Sequence, residues 1–145
     1  MADWLRSRGI DQWGWALSAR GRDILLTRIT EEEVYIAIED GHPVGTITVQ
    51  WRDRLFWNDK GEDGLAGYVH GLAILRAASG RGLGRQLLNW ATGVISAHGK
   101  QYVRLDCPAD NQVLYAYYED QGFSRVGTKA FRDYTCALYE KHIGR

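Results

Sequence analysis

A mixed α/β fold, with a central sheet flanked by helices, is predicted by three features of this sequence. Residues Tyr68 to Leu75 alternate and then become continuously apolar, as a half-buried central strand does. Leu83, Leu87, Leu88, Ala91, Val94 and Ile95 then recur at helical spacing. Gln101 to Cys107 reads as the next strand, and since a helix joins it to the first, the two lie parallel through a right-handed crossover.

The chain has 145 residues, enough for one domain with a proper core and too few for two, so residues 1–145 are read as a single domain. Lys plus Arg (18) balances Asp plus Glu (18), and no basic stripe argues for nucleic acid. No charged leader with an apolar core and no apolar run of membrane-spanning length is present, so a cytoplasmic protein without membrane contact is expected. Cys107 and Cys136 have no CxxC or metal spacing, and two buried, reduced thiols with no metal are expected. Six tryptophans and eight tyrosines are many for this length, so some line a site as well as a core.

In chain order, Ala2 to Arg8 has a helical pattern ended by Gly9, and Ile10 to Trp15 reads as a loop holding large aromatics. Ala16 to Ile29 makes a second helix, with Leu17, Ile24, Leu25 and Ile29 inward and Arg20, Arg22 and Arg28 outward. Val34 to Glu39 and Val44 to Trp51 form a hairpin around the turn Asp40-Gly41-His42-Pro43. Arg52 to Gly67 reads as the longest loop, and its acids Asp53, Asp59, Glu62 and Asp63 either pair with a cationic amine or are simply solvated. A helix from Arg81 to His98 closes with Gly99. Asp110 or Asn111 caps a further helix through Tyr118, and Phe123 to Gly127 with Ala130 to Tyr139 form a final strand pair.

Between the central strand and its helix lies Ser79-Gly80-Arg81-Gly82-Leu83-Gly84. Glycines let the backbone come close to a ligand, and the unpaired amides of a helix start attract an anion, so the turn predicts phosphate or pyrophosphate binding. A P-loop would require Gly-Lys-Ser/Thr, and Arg85 and Gln86 stand there instead. A Rossmann turn would expect a doubly wound start and an acid about twenty residues on. Asp106 is near that distance, but the region before Tyr68 reads as an antiparallel hairpin.

The turn, following Leu72-Ala73-Ile74, resembles the coenzyme A turn Gln/Arg-x-x-Gly-x-Gly of the GCN5-related N-acetyltransferase (GNAT) superfamily, with Ser79 departing from Gln or Arg. Asn111, then Tyr118-Glu119-Asp120-Gln121-Gly122-Phe123, is similar to the same family's Asn and Tyr-Glu-x-x-Gly-Phe signature, in order and at the right spacing. The resemblance implies the acetyltransferase fold and an acetyl-CoA cofactor held by Leu72, Ala73, Ile74, Ser79, Gly80, Arg81, Gly82, Leu83, Gly84, Arg85, Asn111 and Tyr118. That fold ordinarily opens with a strand. None fits ahead of Trp4, so either the front is clipped or the sheet begins one strand short, with a homodimer partner to cover it.

The implied reaction is transfer of the acetyl group of acetyl-CoA to a primary amine of a small molecule by direct attack. A backbone amide of the central strand stabilises the oxyanion. Tyr118 serves as general acid, because a phenol of pKa about 10 can donate to a departing thiolate of pKa about 8.5. Tyr68-Val-His-Gly-Leu-Ala-Ile resembles the His-x-His-x-Leu-Ala-Val strand of arylalkylamine N-acetyltransferases, which makes His70 the candidate base with Tyr68 in place of the first histidine. Core packing is the competing role for His70. Trp13, Trp15, Trp51, Trp57 and Tyr68 are candidates for acceptor contact, with core packing again the alternative. Tyr115, Tyr117, His42, His98 and His142 are read as packing or solvated residues. The competing functional class is a non-catalytic acyl-CoA-binding sensor or regulatory module.

Overall fold

The computed structural model describes residues 19–31 and 33–144. The expected first helix, the loop carrying Trp13 and Trp15, and the question of an opening strand lie outside the described residues. The described elements are α1 (Ala19–Thr30), β1 (Val34–Glu39), β2 (His42–Gln50), α2 (Arg54–Trp57), β3 (Ala66–Ile74), α3 (Leu83–Ala97), β4 (Tyr102–Pro108), α4 (Gln112–Asp120), β5 (Ser124–Ala130) and β6 (Thr135–His142). Short 3-10 turns at Asn58–Glu62 and Arg76–Ala78 join them. Among the described residues the strands form one mixed sheet of order β1-β2-β3-β4-β6-β5. β3 and β4, linked through α3, are parallel as expected, while β1/β2, β4/β6 and β5/β6 are antiparallel.

The described residues divide into two compact units, those up to 48 with 71–87, and 49–70 with 88–144. β3 passes from one to the other after His70, where Gly71 takes φ 60°, a left-handed value that interrupts a regular strand.

In the first unit the β1–β2 turn is tighter than expected. Asp40 and Gly41 alone make it, both at positive φ (51° and 78°), as a two-residue primed turn requires. His42 and Pro43 therefore belong to β2, and Pro43 is tolerated because it lies opposite Ile38 at a register shift, where a missing donor costs no ladder bond. The Leu75 amide donates to the Val44 carbonyl at 2.8 Å. Gly45 lies close under the end of β3, since a Cβ there would come within 3.0 Å of the Ala73 carbonyl and 2.8 Å of Ile74 Cδ1. In α1, Ile29 is 57% exposed while Arg28 is partly buried, the reverse of the expected faces. Leu26 is 60% exposed as well, so apolar periodicity does not fix which side of this helix is covered.

In the second unit, Leu88, Ala91 and Ile95 form the inner face of α3, as their spacing predicts, each at most 1% exposed. Burial of a Leu or Ile of this kind contributes about 1.5–3 kcal/mol. Gly67 of β3 makes room for this helix, because a Cβ there would run into the Ile95 side chain. The region expected as a long solvated loop is instead folded as α2 and a 3-10 turn. Arg104, 1% exposed, holds it to the sheet by donating to the Lys60 carbonyl at 2.9 Å and to both Asp63 oxygens at 3.1 and 2.9 Å. The same guanidinium reaches Glu140 at 2.7 Å and the Tyr68 hydroxyl at 2.8 Å. A buried charge is tolerable only when paired and hydrogen-bonded in this way.

Candidate active site

The first unit carries the glycine turn. Gly80 and Gly82 have φ of 78° and 73°, a region open to glycine and costly for other residues, and a Cβ on either would enter open space. Among the described residues no backbone hydrogen bond uses the amides of Gly80, Arg81, Gly82, Leu83 or Gly84, and the first helical bond there runs from Gln86 to the Gly82 carbonyl. Open donors at the positive end of a helix of 15 residues are what a diphosphate requires, so the turn fits coenzyme A. The side chains of the turn contribute less. The Ser79 hydroxyl donates to the Arg76 carbonyl at 2.7 Å, and Arg81 pairs with Glu39 at 2.8 Å. Arg85 is exposed, and Leu72, Ala73 and Ile74 are half-buried at the end of β3.

The second unit holds His70, whose side chain is 10% exposed. The β3–β4 register pairs Tyr68 with Arg104, and two residues further on His70 Nδ1 lies 3.5 Å from Asp106 Oδ1. On its other side, Nε2 lies 2.9 Å from Asp53 Oδ2. The Phe56 ring stands 5.8 Å from the imidazole and 5.4 Å from Phe131, which stacks on Tyr134 at 4.8 Å. Asp53, His70 and Asp106 thus make a compact group of one imidazole and two carboxylates. The two carboxylates address different ring nitrogens, whose lone pairs diverge, so the group suits the holding and movement of a proton better than shared ligation of one ion.

Tyr118 is 8% exposed and packs on Tyr117, Phe123 and Tyr139 at ring distances of 5.4–6.0 Å. Burial, reinforced by Cys107, Tyr117 and Asp106, pushes its phenol well above the ordinary value, so it stays protonated and able to donate. Asn111 caps α4, its Oδ1 accepting from the Leu114 amide at 3.1 Å. That leaves its amide NH2, rather than its oxygen, as the group to offer a ligand.

The aromatic candidates are dispersed. Trp57 (4% exposed) and Tyr68 (1%) are core side chains in edge contact with each other, and the Tyr68 hydroxyl is taken up by Arg104 and the Lys60 carbonyl. Neither presents a wall to an acceptor. Trp51 is half-buried and stacks on His98 at 4.2 Å. Trp13 and Trp15 lie outside the described residues. Cys107 and Cys136 are buried free thiols, each pushed up to about 12 by burial and then by Asp106. His142 packs edge-on against Tyr102, a structural position as expected.

Residues 1–123 match the model of the acetyltransferase (GNAT) family. This chain belongs to the GNAT acetyltransferases. The uncharacterized N-acetyltransferase YesJ of Bacillus subtilis is 34% identical to this acetyltransferase over 149 residues, covering 98% of this chain and 79% of that protein. A GNAT-family acetyltransferase from Listeria monocytogenes matches the structure with a TM-score of 0.80 at 28% identity, covering 98% of this chain and 83% of the other. A GNAT-family acetyltransferase from Elizabethkingia anophelis, solved with acetyl-CoA bound, shares the fold at a TM-score of 0.68 and 11% identity, covering 89% and 88% of the two chains. The enzyme is therefore an acetyl-CoA-dependent acyltransferase of the N-acetyltransferase class. Among the described residues, no helix is long and apolar enough to cross a membrane.

Nothing in the periodicity or motifs of the sequence joins Asp53, Phe56 and Asp106 to His70. The sequence leaves Asp53 among loop acids that either pair with a cationic amine or are solvated, although Asp three residues before Phe56 is a helix-cap spacing. In the sequence Asp106 stands out only by lying near the distance at which a Rossmann turn expects an acid. Its strand parity with Arg104, set against the parity of His70 with Tyr68, was the available signal.

Proposed function

We propose that this acetyltransferase transfers the acetyl group of acetyl-CoA to a primary amine of a small molecule, with His70 as base and Tyr118 as general acid. The observation that carries this reading is the nearly buried imidazole of His70 held between the carboxylates of Asp53 and Asp106. An alkylammonium must lose a proton before it can attack, and an imidazole is suited to accept one near neutral pH. The coenzyme, when bound, supplies an activated acetyl thioester. The amides of residues 80–84 hold its diphosphate. Tyr118, kept protonated by burial, gives its proton to the departing sulfur.

Thiol release from acetyl-CoA across a panel of small primary amines, with N-terminal peptides as controls, tests the reading. Turnover with an amine of the panel and a loss of about 10²–10⁴-fold in His70→Gln support it. Release only with peptides rejects the small-molecule acceptor, and an unchanged rate in His70→Gln rejects the base.

A further inference from the structure

Asp53 uses its two carboxylate oxygens for different tasks. Oδ1 accepts from the Phe56 amide at 3.1 Å and so caps α2, while Oδ2 lies 2.9 Å from His70 Nε2. The residue is pinned from behind as well. Its amide donates to the Gly61 carbonyl at 2.9 Å, and Gly61 lies so close that a Cβ there would collide with the Asp53 carbonyl. The Asp53 side chain is 5% exposed. Asp53 Oδ2 is a buried oxygen with no hydrogen-bond partner, and an ionised carboxylate can only accept, so a proton on Nε2 at 2.9 Å is the nearest that can compensate it, and in the neutral ring Nδ1 then carries the lone pair. Nδ1 faces Asp106 Oδ1 at 3.5 Å, longer than an ordinary hydrogen bond and longer than the 2.9 Å between Nε2 and Asp53 Oδ2. Among the described residues, Asp53 and Phe56 from the α2 segment and Asp106 from β4 lie against the ring.

We propose that Asp53 is a positioning residue that holds His70 as its Nε2–H tautomer and thereby makes Nδ1 the atom that takes the proton from the acceptor amine. The inference rests on the reading of His70 as base. In the step, the N–H bond of the ammonium breaks, its electron pair stays on nitrogen for attack, and the proton arrives on Nδ1 directly or through water. The imidazolium so formed keeps its Nε2–H beside Asp53 Oδ2 and later returns the Nδ1 proton to solvent. No oxidation or reduction is involved.

Two substitutions separate this role from helix capping. In Asp53→Asn the cap needs an acceptor, so the amide oxygen turns to Phe56 and the NH2 turns to Nε2, which must then accept. The ring proton moves to Nδ1. In Asp53→Ser the cap is retained by a good capping residue and the carboxylate is lost. The measurements are nitrogen NMR of the His70 ring in 15N-labelled enzyme, kcat with acetyl-CoA and a turned-over amine, and the urea midpoint. We expect Nε2–H in the wild type and Nδ1–H in Asp53→Asn. In both variants kcat should fall by about 10²–10⁴-fold, the range for a mis-set general base, with the midpoint of Asp53→Ser close to wild type.

An Nδ1–H tautomer in the wild type, the same tautomer in Asp53→Asn, or full turnover in Asp53→Ser overturns the proposal. Wild-type turnover in His70→Gln overturns it through the reading it rests on. A slow His70→Gln combined with an unmoved tautomer rejects the role of Asp53 alone.

Discussion

Tyr68 and Arg104 are partners twice over. They face each other in the parallel register of β3 and β4, and Arg104 Nη1 donates to the Tyr68 hydroxyl at 2.8 Å. The same guanidinium lies 5.2 Å from the Trp57 ring and 5.4 Å from that of Tyr102, so one side chain ties the folded 58–63 turn, the central strands and Glu140 of β6 together. One step further along the two strands come His70 and Asp106, which makes this network the floor on which the candidate base is set.

Replacing that cation should therefore unfold before it inactivates. Arg104→Met takes the guanidinium from Asp63, Glu140 and the Tyr68 hydroxyl, leaving Asp63 the Leu65 amide and Glu140 the Lys60 ammonium, and removal of one partner of a buried pair costs about 3–5 kcal/mol. A urea titration reads this directly. A midpoint equal to wild type would show that the network carries no stability.

Acid should weaken the same network with a definite sign. Burial raises the Asp63 carboxyl, but the Arg104 hydrogen bond, the Leu65 amide and the charges of Arg104 and Lys60 outweigh it and hold it below the ordinary value. A carboxylate depressed in the folded state stabilises the fold above its unfolded value of about 3.9 and loses that contribution as pH falls through its folded value. The wild type should accordingly exceed Asp63→Asn in urea midpoint near neutral pH, with the gap closing below about pH 4. A gap that persists in stronger acid would place the stabilisation elsewhere.

The glycine turn makes a prediction about binding rather than folding. Gly82→Ala puts a methyl group on a residue at φ 73°, which strains the turn by about 1 kcal/mol or more and moves the amides meant for the diphosphate. Coenzyme A affinity, measured by calorimetry, should drop at least several-fold while the melting temperature without ligand changes little. Unaltered affinity would remove this turn from the coenzyme site.

Tyr118→Phe should reduce kcat by about 10²–10⁴-fold and leave coenzyme binding intact. Burial holds the phenol protonated well past its ordinary value of about 10, so the wild type should show no alkaline loss of activity near pH 10 that vanishes in the variant. Equal rates for the two proteins would take Tyr118 out of the reaction.

The sequence by itself determined the central strand, the glycine turn, the helix that follows and the crossover to β4, because apolar periodicity and glycine placement are local properties of the chain. It also determined the family, through motifs whose spacing survives without coordinates. Only the tertiary structure decided that Trp57 and Tyr68 belong to a core, that Asp53 leaves its loop to meet His70, and that Arg104 makes Asp63 structural. These are contacts between residues far apart in the chain, such as Asp63 and Arg104, and they arise when strand register and a folded turn bring them together. Composition carries no record of that closure, so Asp106 meets His70 only once β3 and β4 are laid side by side, and Asp53 only once the α2 segment is folded against β3.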